Sequence, residues 1–224
     1  MSTHLAIDHL VYATPDLAYS VRYVEDLLGV APVPGGAHVG WGTYNALLGL
    51  GGATYLEIIG PDPAQPEPSG PRPFGIDTLD EPALVAWCAA PRRPLVDVLS
   101  LAREAGFDPG SIVSMSRQRP DGVVLEWSLT VAAPSPSDGD RHGILPFFID
   151  WGHSPHPSTD LPIGGSLVEL EIVHPEPRSI DLMLSAVSDE TNLGDEPARV
   201  SVRYSEEPAI AARVQTARGI VVLD

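Results

Sequence analysis

Residues 5–13 (Leu-Ala-Ile-Asp-His-Leu-Val-Tyr-Ala) form an apolar run broken only by Asp8 and His9. This pattern predicts a buried strand. Thr14-Pro15-Asp16 closes the run and opens a helix, with Thr14 as expected N-cap and Pro15 at the first helical position. Leu17, Val21, Val24, Leu27 and Leu28 then recur at helical spacing, and Gly29 ends the helix. Three short extended runs follow, Val30–Val33, Thr43–Leu50 and Thr54–Ile59. Gly35-Gly36 and Gly51-Gly52 are read as the turns between them.

A proline-crowded stretch over 61–73 predicts an extended linker. Beyond it the pattern returns. Leu84–Ala90 reads as a strand, Pro94–Ala105 as a helix, and Ile112–Ser116, Val123–Val131 and Ile144–Trp151 as strands, with a loop over 133–142. A shorter copy follows, with strand Leu167–Val173, a helix over 179–187, and strands Arg199–Tyr204 and Gly219–Leu223. The expected organisation is a βαβββ module over 1–62, a linker over 63–80, a second module over 81–160 and an abbreviated β-α-β module over 161–224. Repetition of this kind implies sheet faces that cover one another.

Composition narrows the partners. The 224 residues carry 13 basic and 30 acidic side chains, a formal charge of −17, and every basic residue is arginine. So acidic a surface repels phosphate backbones and anionic lipid, which argues against nucleic acid and membranes as partners. Without lysine there is no Schiff-base chemistry and no P-loop lysine. No apolar run reaches transmembrane length, and Met1–His4 does not begin a secretory signal, so the cytoplasm is the expected compartment. Cys88 is the single cysteine, which excludes an internal disulfide; mid-strand, it reads as a small buried hydrophobe. No Gly-x-Ser-x-Gly occurs, and Gly49-Leu50-Gly51-Gly52 is too short and misplaced for a dinucleotide loop.

Four runs in order resemble the vicinal oxygen chelate superfamily, and more narrowly its glyoxalase-like branch. They are Ile7–Ala13, Gly40–Leu48, Tyr55–Ile59 and Leu145–Gly152. The resemblance spans about residues 4–160. It implies an α+β fold of repeated βαβββ modules forming a cupped mixed or antiparallel sheet around a small-molecule ligand. It also implies a divalent metal (Zn, Mn or Fe) held from the first and last strands of each module, and a homodimer. The activities implied are lyase, isomerase or dioxygenase reactions on a vicinal-oxygen substrate. The alternative is a resistance or sequestering protein that binds without chemistry.

On this resemblance the first module's ligand positions fall on His9 and Glu57, an imidazole and a carboxylate that suit such ions. The other reading is a His–Glu hydrogen bond without metal. The second module offers Val85 and Ile149, which cannot bind metal, and the third offers Glu169 or Glu171. Glu57 or Glu126 is the expected proton carrier, beside His9.

The remaining candidates concern ligand binding. Trp41, Thr43 and Asn45 would share one strand face and present stacking and amide contacts, unless Trp41 is core. Glu126 in an apolar strand needs a partner, for which Arg117 or Arg119 is expected, as a structural salt bridge or a pocket floor. Trp127 and Trp151 are expected to line the cavity. His38 reads as an exposed loop histidine rather than a pocket-edge residue, and His153 and His156 as parts of a surface loop.

Overall fold

In a computed structural model, described over residues 5–118, 122–132, 143–188 and 198–224, the chain builds two sheets. Strand β1 (Ile7–Ala13) leads into helix α1 (Leu17–Leu28), then β2 (Val33–His38), β3 (Thr43–Gly49) and β4 (Tyr55–Pro61). Strand β5 (Ala83–Ala89), helix α2 (Leu95–Glu104), β6 (Ser111–Gln118), β7 (Val124–Val131) and β8 (Phe147–Asp150) repeat that order. These eight strands form one sheet, β2-β3-β4-β1-β5-β8-β7-β6, curled into a half-barrel. The β1–β4 and β5–β8 pairs are parallel, and β1 and β5 meet antiparallel at the centre. The α+β fold of repeated βαβββ modules is therefore as the pattern implied, and β5–β8 complete the cup.

The last third is built differently. Strand β9 (Ser166–His174), helix α3 (Pro177–Val187), β10 (Arg199–Tyr204), β11 (Ala209–Thr216) and β12 (Gly219–Leu223) make a separate sheet in the order β10-β9-β11-β12. Its inner face joins the main core through Leu170, Ile172 and Val214, while α3 packs on α2. Strand β11 escapes the sequence reading because Ala209–Thr216 mixes alanine with Arg213 and Gln215. Its apolar alternation is weak.

The two faces of the large sheet are sorted by side-chain parity. Leu10, Tyr12, Leu56 and Ile58 face α1 and join Val24 and Leu28 in the main core. Val11, Ala13, Ile59 and Ala86 face the inside of the curl. There the linker is not merely extended. A 3-10 turn over Pro73–Thr78 lays Phe74 and Ile76 against this inner cluster beside Phe147. Phe74 adopts φ 58°, a backbone that L-residues disfavour, and its packing in the cup holds it there.

Two local departures from the sequence reading shape the site. Asp16, not Thr14, caps α1, accepting from the Tyr19 amide, while the Thr14 hydroxyl bonds Ser20. Gly35 and Gly36 lie within β2 rather than in a turn, and Gly35 is an extra residue between the Pro34–Ala46 and Gly36–Asn45 pairs.

Candidate functional site

Strict alternation would put Asp8 and His9 on opposite faces of β1. They share one because the strand bulges: Ile7 pairs with Ala89 and His9 with Cys88, leaving Asp8 as the extra residue. Ile7 and Leu10 thus both enter the helix-side core, and Asp8 and His9 both enter the cup.

Asp8 is 2% exposed and accepts three hydrogen bonds. His9 Nδ1 lies 2.6 Å from Oδ1, while Trp151 Nε1 and His156 Nε2 each lie 2.9 Å from Oδ2. Burial opposes the Asp8 charge, but the hydrogen bonds from His156 and His9 outweigh it and hold the carboxyl down at about 2. An ionised carboxylate only accepts, so His9 Nδ1 and His156 Nε2 must carry protons. The Nδ1 atom of His156 agrees, since it accepts from the Ser158 amide at 3.2 Å.

With Nδ1 tied down, His9 presents Nε2 to Glu57, 3.8 Å from Oε2. Its ring stacks on Tyr55 at 4.8 Å and meets the Phe147 ring edge-on at 5.4 Å. Burial, and then the charges of Asp8 and Glu57, push the Tyr55 phenol well above its usual range.

A second chain of contacts holds Glu57 from the other side. Asn45 Nδ2 donates to Oε1 at 2.6 Å. Asn45 Oδ1 accepts from the Gly36 amide at 2.9 Å and from Arg117 Nη1 at 3.1 Å. Nε2 of His38 stands 3.8 Å from Glu57 Oε1, and its Nδ1 lies 3.0 Å from the Thr43 hydroxyl. Burial lowers the His38 pKa, Glu57 opposes that shift and Arg117 adds to it. Arg117 comes from β6, one sheet edge, and reaches β2, the other. A Cβ on Gly35 would stand 2.1 Å from Asn45 Oδ1, and one on Gly36 2.8 Å from Arg117 Cδ. Only glycines leave room for this crossing.

His9, Glu57 and Asn45 are thus brought together, with Trp151 beside them through Asp8. Trp127 is one shell out, its ring 5.4 Å from Trp151. Trp41 lies in the turn before β3, where strand parity no longer applies, and is 37% exposed. Glu126 is exposed, its amide bonded to the Ser154 hydroxyl, and Arg117 turns to Asn45 instead of to it. Arg119 lies outside the described residues. Glu169 sits on the separate four-stranded sheet, bonded to Ser201 and paired with Arg203 and Arg213.

Asp8 and His156 escape the sequence reading as site residues, while His38 reads there as an exposed loop residue and Arg117 enters only as a partner for Glu126. One signal was available: two adjacent polar residues inside an apolar strand break the alternation and mark a bulge. His156, distant in sequence and flanked by prolines, carries no such mark.

A model of the "Glyoxalase-like domain" family matches residues 7–188. The chain belongs to that family. It is a member of the vicinal oxygen chelate superfamily. Comparison with curated proteins gives no match. Among solved structures, a hypothetical protein from Staphylococcus aureus is similar to the glyoxalase-like chain over 99% of both, at 13% identity and a TM-score of 0.63, a likeness of fold. Methylmalonyl-CoA epimerase from Mycobacterium tuberculosis is 18% identical over 66% of this chain and 88% of its own, with a TM-score of 0.42. A Mn(II)-bound glyoxalase from Novosphingobium aromaticivorans is 14% identical over 94% of this chain and 64% of its own, with a TM-score of 0.45. The last two superpose too loosely to bear on the site. No described helix is long and apolar enough to cross a membrane.

Whether the metal that this fold implies can bind depends on the donors. Among the described residues, Asp8, His9 and Cys88 bring three potential ligand atoms within 4.8 Å of one another. That set is chemically poor. His9 Nδ1 is spent on Asp8, and burial, with Asp8 and Glu57 nearby, raises the Cys88 thiol well above its usual range, against the thiolate a metal needs. Among the described residues, the better pair, His9 Nε2 and Glu57 Oε2, gains no third ligand atom close to both: His38 Nε2 approaches the other Glu57 oxygen, Oε1, at 3.8 Å, and Phe147 faces His9 from β8. The described residues do not fit a resident catalytic metal.

Proposed function

We propose that this glyoxalase-like protein is a small-molecule enzyme that moves a proton on a vicinal-oxygen substrate, with Glu57 as base and His9 as hydrogen-bonding partner. One observation carries the reading: Glu57 Oε2 and His9 Nε2 face each other across 3.8 Å, each held from behind, by Asn45 and by Asp8. Two fixed acceptors in a cup suit a carbonyl compound with a hydroxyl on the neighbouring carbon. The hydroxyl donates to His9 Nε2. The C–H bond on that carbon breaks, its proton passes to Glu57 Oε2, its electron pair forms a double bond to the carbonyl carbon, and the carbonyl π pair moves onto the carbonyl oxygen. Return of the proton to the same carbon gives the starting compound; return to the former carbonyl carbon, with the hydroxyl proton passing by way of His9 Nε2 to the former carbonyl oxygen, gives the isomer. A resident Zn, Mn or Fe ion has no part in this reading.

The test is hydrogen exchange. A panel of neutral and acidic α-hydroxycarbonyl compounds is incubated with the protein in D2O and followed by proton NMR. Wild type is expected to exchange the carbon-bound hydrogen of at least one member well above the buffer rate, and Glu57→Gln to lose this by at least a hundredfold. Exchange at buffer rate throughout, or an unaffected Glu57→Gln, refutes it. A second reading, binding without chemistry, is favoured by the aromatic lining of Phe147, Trp151 and Trp127. It predicts ligand-induced tryptophan quenching that survives Glu57→Gln with no exchange in either protein.

A further inference from the structure

Arg117 is out of keeping with its surroundings. Arg72, Arg103, Arg203 and Arg213 each pair with a carboxylate, while Arg22, Arg92, Arg178, Arg199 and Arg218 are exposed to water. Arg117 pairs with none among the described residues. It spends one Nη1 hydrogen on the neutral Asn45 amide, and its Nε is buried with no hydrogen-bond partner among those residues. A half-buried guanidinium with an idle N–H is costly unless something satisfies it. The protein nevertheless keeps Gly35 and Gly36 bare so that this side chain can cross from β6 into the cup. Its fork matches a carboxylate.

We infer that Arg117 seats a substrate carboxylate, so that the cup takes small 3-hydroxy-2-oxo carboxylic acids. Charge supports this. Asp8 and Glu57 otherwise make the cup repel anions, and His38, which burial keeps from protonating, does not offset them. Distance supports it too. Asn45 touches Arg117 with its carbonyl and Glu57 with its amine, so the path through this one amide caps the guanidinium-to-carboxylate separation at about 8 Å. That path ends on Oε1, and Oε2 of the same carboxyl lies at most about 2 Å further, so with contacts of about 3 Å at each end no more than about three bonds separate the bound carboxylate oxygen from the carbon that meets Oε2. In a 3-hydroxy-2-oxo acid that carbon is carbon 3, which carries both the acidic hydrogen and the hydroxyl meant for His9. The assignment of carbon 3 rests on the proposed role of Glu57; the seat for the carboxylate does not.

The experiment compares 3-hydroxypyruvate with its amide by quenching of tryptophan fluorescence. Wild type is expected to bind the acid at least tenfold more tightly than the amide. Arg117→Met is expected to abolish that preference, and Arg117→Lys to restore part of it. Equal affinity of wild type for acid and amide overturns the inference, as does a preference that persists in Arg117→Met. If Arg117→Met misfolds by circular dichroism, the wild-type comparison and Arg117→Gln decide. Acid-selective binding without hydrogen exchange would leave the carboxylate seat standing and remove the proton-transfer reading.

Discussion

Replacing Asp8 with asparagine isolates the buried anchor of the site. The carboxylate accepts from His9, Trp151 and His156. An amide oxygen can keep the two bonds at the Oδ2 position, but the amide nitrogen then meets the His9 Nδ1 proton, donor against donor. The folded protein holds Asp8 at about 2 against an ordinary 3.8. By linkage that shift is worth about 2 kcal/mol at neutral pH, the same order as converting charge-assisted hydrogen bonds to neutral ones. The sign follows from the depressed folded value. The contribution is complete well above 3.8 and is lost as pH falls towards 2. About half is gone near pH 3. Asp8→Asn is therefore expected to lower stability by about 2 kcal/mol at pH 7, or roughly 4–8 °C in Tm. The gap to wild type should close progressively below pH 4. Urea unfolding followed by tryptophan fluorescence at pH 7, 4 and 3 measures it. A gap that stays constant across this range, or a variant as stable as wild type at pH 7, would refute the hydrogen-bonded carboxylate as the source.

Further outcomes follow from the same contacts. Gly35→Ala drives a methyl into Asn45 Oδ1 and is expected to cost about 1–3 kcal/mol by urea unfolding, while weakening ligand binding in the cup; a neutral effect would mean the β2–β6 crossing is slack. Protein purified without added metal or chelator should hold no stoichiometric Zn, Mn or Fe by elemental analysis. Dialysis against EDTA should leave both Tm and hydrogen exchange unchanged, and a stoichiometric ion whose removal abolishes exchange would restore the metal reading of His9 and Glu57.

Much of the architecture is legible in the chain because its signals are local. The Ile7–Ala13 and Tyr55–Ile59 runs read as strands on apolar content alone, and the α1 periodicity ends at Gly29 as glycine demands. Pairing His9 with Glu57 needed only the resemblance, and the parallel β1–β4 ladder does bring them face to face. Other parts were hidden by tertiary structure. Gly35-Gly36 looks like a turn, yet it lies in β2 because a side chain from another module needs the space. Strand parity placed Trp41 beside Asn45, but β3 begins only at Thr43. Arg117 was matched to Glu126 by proximity along adjacent strands. The curl of the sheet, which no local pattern encodes, brings it to Asn45 instead.

The Asp8 anchor has a bearing on how the chain acquires its shape. Two of its three donors, Trp151 and His156, lie 143 and 148 positions downstream. During synthesis the opening strand therefore emerges long before the groups that neutralise its carboxylate exist. Until then Asp8 must stay hydrated, which disfavours early burial of that end of β1. The first βαβββ unit should accordingly remain loose on its inner side while its helix-packed side consolidates, and late docking of the 151–160 segment should set the pace of the final step.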